Sequence, residues 1–182
     1  MPGRRTRAAA ATATTLAALA LPVLAGCSGG SPTGAATTRT PSGSPTGRDT
    51  AAALRSSVLG RTWDVGTITA IEHVGTTQVV VLDRWTVKGL SDAKLASDGI
   101  PVKRYAFDKS PYTNENTKVT FRIPVTADPL VILRHCISAD LPLQAKSATL
   151  ADLAAAGEKD RIVLVGLDPR GWLVSAQNLP GC

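Results

Sequence analysis

RIVLVGLDPRGWLVSAQN, residues 161–178, is the stretch from which the fold is read. Arg161 to Leu167 and Trp172 to Asn178 are apolar or alternating runs of strand length, and Asp168-Pro169-Arg170-Gly171 lies between them. Proline fits the first central position of a type I turn and glycine its last position, so the stretch predicts an antiparallel hairpin that closes the chain.

The same periodicity recurs upstream. Lys118 to Val125 alternates, with Val119, Phe121, Ile123 and Val125 on one face. Pro124 has no amide hydrogen to give to a ladder, which predicts that this strand ends on an edge. Ala127-Asp128-Pro129 reads as a turn into a further strand, Leu130 to Cys136. Near the front, Trp63 to Val74 and Gln78 to Val87 flank Gly75-Thr76-Thr77, a second hairpin. Val102 to Phe107 reads as a short strand. Ser91 caps a short helix that carries Leu95 and closes at Gly99, and Ser147 or Thr149 caps another that carries Leu150 and Leu153 and ends at Gly157. Ala51 to Val58 is either a helical turn or the end of what precedes it. The order predicts a mainly β domain, a small antiparallel barrel, OB-like in shape, or a sandwich, with two short helices plugging the ends of the barrel.

The N-terminus has a different composition. Met1 to Arg7 is basic, Ala8 to Leu24 is apolar with scattered threonines, and small residues follow, the layout of an export signal. Leu24-Ala25-Gly26-Cys27 resembles the lipobox of bacterial lipoproteins. That resemblance implies cleavage before Cys27, a lipid on its thiol, and attachment to the outer face of the cell membrane. Each buried methylene contributes about 0.8 kcal/mol to such an anchor. Arg4-Arg5 lacks the residues that usually follow in twin-arginine signals, so the export route stays open. Ser28 to Thr50 is glycine, serine, threonine and proline with little to bury, a spacer. The expected organisation is therefore a signal over 1–26, a linker over 27–50 and one domain over 51–182. Residues 1–26 hold Arg4, Arg5 and Arg7 and no acid, so the net charge of +6 falls to +3 without them. On Ala51 to Cys182 there are 15 bases against 13 acids, or +2, which argues against a nucleic-acid partner.

With Cys27 assigned to lipid, the three cysteines leave Cys136 and Cys182 as a pair, which an oxidising exterior permits to form a disulfide. No Cys-x-x-Cys spacing points to thiol chemistry instead. His73 and His135, the only histidines, fall near strand ends. His135 with Asp83 or Asp140 and a serine would make a hydrolase site, but no Gly-x-Ser-x-Gly elbow accompanies them. No metal-ligand spacing and no phosphate-cradling glycine loop occurs, and no cofactor is expected. The polar loop Asp108 to Thr117 gathers Asp108, Asn114, Glu115 and Asn116, a set of oxygens of the kind calcium uses but without EF-hand spacing. With Tyr112 it forms a candidate binding loop: Asp108, Tyr112, Asn114 and Asn116. The tryptophans Trp63, Trp85 and Trp172 read as core.

Asp83-Arg84-Trp85-Thr86-Val87-Lys88-Gly89, Gly99, Tyr112-Thr113-Asn114-Glu115-Asn116, the strand over Val119 to Val125 and the strand at Trp172 together resemble a small domain of exported actinobacterial lipoproteins. That resemblance covers most of Trp63 to Pro180 and implies no activity. It marks Asp83 and Asn114 as positions of interest, and the Cys136 and Cys182 pair departs from it. The expectation is a non-enzymatic, lipid-anchored module that binds an envelope protein or wall component. The alternative is a wall-acting enzyme or a calcium-dependent module.

Overall fold

The computed structural model describes residues 47–115 and 119–182. The leader, the Leu24 to Cys27 motif, most of the linker and Asn116 lie outside the described residues. The elements are α1 (Gly47–Ala53), β1 (Trp63–Val74), β2 (Thr77–Arg84), β3 (Thr86–Val87), α2 (Asp92–Asp98), β4 (Tyr112–Thr113), β5 (Thr120–His135), β6 (Gln144–Ser147), α3 (Leu150–Ala154), β7 (Ile162–Leu167) and β8 (Leu173–Asn178).

Both predicted hairpins form. In the first, Val74 pairs with Thr77 across a two-residue loop, and Gly75 takes φ 61°, the left-handed value this tight connection needs at its first position. In the second, Gly171 N–H donates to Asp168 O at 2.8 Å, closing the turn, and β7 pairs with β8. β1 then joins β7, β2 joins β5, and β5 runs parallel to β8, so β1, β2, β5, β8 and β7 close a five-stranded ring. This is a Greek-key closure of the OB type, antiparallel except between β5 and β8.

Two apolar clusters explain which side chains face where. Ile68, Val80, Leu82, Ile123, Val125, Val131, Val163, Val165, Leu167, Leu173 and Ala176 come from all five ring strands and fill the barrel, joined by Leu150 and Leu153 of α3. The second cluster lies on the outer wall, where Val65, Ile162 and Leu164 are covered by Leu95 of α2, Tyr112, Leu179 and the aromatic fringe Trp63, Trp85 and Tyr105. Every residue of β7 is buried, because its alternate side chains serve the two clusters in turn. The excursion between β2 and β5 is thus a layer laid over the barrel wall.

Several expectations change. Three short helices occur among the described residues, the additional one being α1. It stops at Ala53 because Ser57 is drawn to β5, its N–H donating to Arg122 O at 3.0 Å and its hydroxyl accepting from Arg122 N at 2.7 Å. Of the two predicted helices, α3 packs into the barrel and α2 packs on its wall. Val102 to Phe107 forms no strand, since its only ladder contact is a single bridge from Tyr105 to Gly181. The strands expected up to Val125 and from Leu130 are one long β5, Thr120–His135, whose register to β8 shifts between Val125 and Leu130, so the expected turn is a bulge, and Lys118 lies outside the described residues. Pro124 does not mark an edge. It sits at the last pair with β2, just before Val125 begins the ladder to β8, where a missing donor costs little. β6 escapes prediction because its four residues are all exposed and carry no alternation.

Candidate functional site

The residues singled out in the sequence separate into distinct places. Asp83 and Asn114 come together: Asp83 is buried, and Asn114 Nδ2 donates to its Oδ2 at 2.6 Å. This contact fastens the loop end of the outer layer to β2. Tyr112 is also buried, its ring edge-on to Tyr105 at 5.3 Å, so it holds the layer down and does not present itself to solvent. Burial, with Tyr105 adding to it, pushes the Tyr112 hydroxyl up to about 12. Asp108 and Glu115 are exposed, and Glu115 lies 3.2 Å from the Thr86 hydroxyl. Among the described residues no three of His, Cys, Asp or Glu converge in a way that would hold a metal.

Cys136 and Cys182 stand at disulfide distance, with Cα atoms 5.6 Å apart, which ties the end of the chain to the end of β5. Beside them, Asn178 extends the sheet with its side chain. Its Oδ1 accepts from Arg134 N at 2.6 Å and its Nδ2 donates to Arg134 O at 2.8 Å. His135 meets neither Asp83 nor Asp140. Its Nδ1 lies 3.5 Å from Asp160 Oδ2, on an open groove shared with Arg134 and Lys146.

Sequence reasoning misses a charged cluster in the barrel. By strand alternation Asp64 on β1 and Arg84 on β2 share the inward face with Ile68 and Leu82. Asp64 is fully buried and takes Arg84 Nη2 at 2.6 Å, Arg84 Nε at 2.9 Å and its neighbour Val65 N at 2.9 Å. The Arg84 guanidinium also stacks on Phe121, 3.7 Å from the ring centre. Arg61 bridges Asp64 to Asp92 of α2, and its hydrogen bond holds the Asp92 carboxyl below the ordinary value despite partial burial. Nothing in a single strand pattern distinguishes this aspartate from a surface one. Arg84 of this cluster borders an open groove, with Thr86, Glu115, Val119 and Phe121, and its guanidinium is already engaged by Asp64, so the cluster reads as structural.

The better candidate is a groove of about 410 Å³ between the first hairpin, the β5 bulge and the closing turn. The first hairpin supplies His73, Thr76, Thr77 and Gln78, the β5 bulge supplies Val125, Thr126 and Ala127, and the closing turn supplies Trp172. Each part is fixed from beneath. Thr126 donates its hydroxyl to Leu173 O at 3.0 Å, which ties the bulge to β8. Asp168 organises the turn: one carboxylate oxygen accepts from Arg170 N and Trp172 N, both at 2.9 Å, and the other from the Arg170 guanidinium at 2.8 and 2.9 Å. Burial pushes the Asp168 carboxyl up, but these bonds outweigh it and hold it below its ordinary value. The Arg170 guanidinium then lies 4.6 Å over the Trp172 ring. Trp172 is therefore half-buried and held in one orientation beside the groove, and it does not belong to either apolar cluster. The signal that could have revealed it is the turn itself, an Asp-Pro-Arg-Gly followed at once by an indole.

No family model, no curated protein and no solved structure matches the chain.

Proposed function

We propose that this chain is a lipid-anchored protein of the outer face of the cell membrane, whose barrel binds an envelope component without catalysing a reaction. The apolar run ending in Leu24-Ala25-Gly26-Cys27 supports the anchor, and the Gly/Ser/Thr/Pro stretch to Thr50 supports a spacer between lipid and barrel. The observation that carries the binding role is the groove at Trp172. It joins two hairpin loops and a bulge on the kind of face with which Greek-key barrels of this order hold extended polymers. Its lining offers hydrogen-bonding groups around an oriented aromatic ring. No carboxylate lines it beside His73 to orient that imidazole as a base, so a polar surface for holding fits better than a reacting centre.

Two measurements test this. Wild-type protein partitions with membranes and yields an N-terminal peptide carrying lipid mass, while a Cys27→Ala protein moves to the soluble fraction; full retention of that variant on membranes rejects the anchor. A photo-crosslinking residue placed at Gln78 captures an envelope component in intact cells, and capture equal to that from a site on the opposite wall rejects the groove.

A further inference from the structure

We propose that the groove at Trp172 holds a stretch of neutral glycan, with the indole as its apolar platform and the surrounding hydroxyls, amide and imidazole as its hydrogen-bonding rim. This names the ligand class of the site described above and rests on that reading.

The lining decides the chemistry. Thr76, Thr77, Thr126, Gln78 and His73 each present groups that donate or accept, and Thr126, having given its proton to Leu173 O, offers lone pairs. Ala127 and Trp172 supply carbon surface between them, while the Val125 side chain is turned into the barrel. A sugar ring has the same two-sided character, with C–H faces and a hydroxyl edge. The groove lies in the size range of ligand sites, about 300 to 1,000 Å³.

Other ligand classes fit less well. A phosphate or carboxylate polymer calls for lysine or arginine in the groove. None lines it, and Arg170, which lies over Trp172, is engaged twice by Asp168. A peptide added as an extra strand requires a free edge. The β2–β5 ladder ends at Val79 and Pro124 and the β5–β8 ladder is interrupted between Val125 and Leu130, so the open backbone beside the groove is only Thr77-Gln78 and the bulge after Val125, too short for a strand-length ladder. The fixed Asp168, Arg170 and Trp172 arrangement lowers the ordering cost of binding, which suits a ligand whose individual contacts are weak.

The test uses full-length protein labelled with 5-fluorotryptophan. Its fluorine spectrum carries one signal for each of Trp63, Trp85 and Trp172, and a Trp172→Phe protein assigns the third. Titration with chitohexaose and with mannan, arabinan and galactan oligomers should move the Trp172 signal saturably for at least one of them and leave Trp63 and Trp85 in place. Gln78→Ala should weaken that binding about tenfold at unchanged melting temperature. No movement of the Trp172 signal by any of these oligomers at about 10 mM, far above a useful affinity, overturns the glycan assignment. So does saturable movement by polyphosphate alone. If crosslinking from Gln78 still captures a protein in cells, the binding-module reading stands while the glycan falls. If it captures nothing, both fall.

Discussion

Asp64, with no exposed side-chain surface, is held inside the barrel by the Arg84 guanidinium through both Nε and Nη2. An ion pair so placed offsets the desolvation of its members only while both are present. Arg84→Met should therefore cost about 3 to 5 kcal/mol in urea denaturation, because it strands a buried carboxylate. The double replacement Asp64→Leu with Arg84→Met should recover much of that loss. A single Arg84→Met protein as stable as wild type would show that Arg61 alone compensates the charge.

Asn178 and the Arg134 backbone make a different kind of join, a carboxamide standing in for a strand residue. Asn178→Ala should cost about 1 to 3 kcal/mol, since an N–H and a C=O on β5 lose their partners together. Native-state hydrogen exchange locates the effect: the Arg134 amide should exchange much faster, while amides of β1 and β2 change little.

Joining Cys136 to Cys182 closes a loop across 46 residues of sequence. In the chain-entropy account such a link contributes about 4 kcal/mol. Unfolding with and without reductant should differ by that order. Equal midpoints, together with free thiols detected by alkylation in protein purified without reductant, would remove the link from the account.

Acid should weaken the fold through Asp168, Asp92 and Asp152. Each carboxyl is held below its ordinary value of 3.8: Asp168 by bonds from Trp172 and Arg170 that outweigh its burial, Asp92 by Arg61, and Asp152 by the Thr149 backbone and hydroxyl in a capping box. A depressed folded-state value means that the stabilisation is complete above the unfolded value and disappears as pH falls below it through the folded value. Stability should be level from neutrality to about pH 4 and then decline. Asp168→Asn should be less stable at neutral pH and show a shallower acid decline. An unchanged slope below pH 4 would assign the acid limb to other groups.

What could be read from the residues alone was whatever alternation and turn chemistry determine locally. The closing hairpin followed from Pro169 and Gly171, the first from Gly75, and α2 from Ser91 with Gly99, whose N–H does donate to Leu95 O. Ring closure is a long-range property, so β1 meeting β7 and β2 meeting β5 left no local mark. β5 misled because Asp128-Pro129 carries the same signature in a bulge as in a turn. Asp83 and Asn114 drew attention as separate positions, and only the fold made them partners. Trp172 was taken for core because an isolated indole gives no sign of which side of a sheet it will border.

Ring closure also governs how copies of this chain meet. Among the described residues, β6 is the strand that ends the main sheet beyond β5, and it is four exposed residues long with Lys146 inside it. A short, charged rim is a poor template for strand exchange. Molecules confined to a surface collide far more often than molecules in bulk solution. Under the proposed lipid anchor, a barrel whose terminal strand is so poor a template can be crowded on a membrane without seeding aggregates.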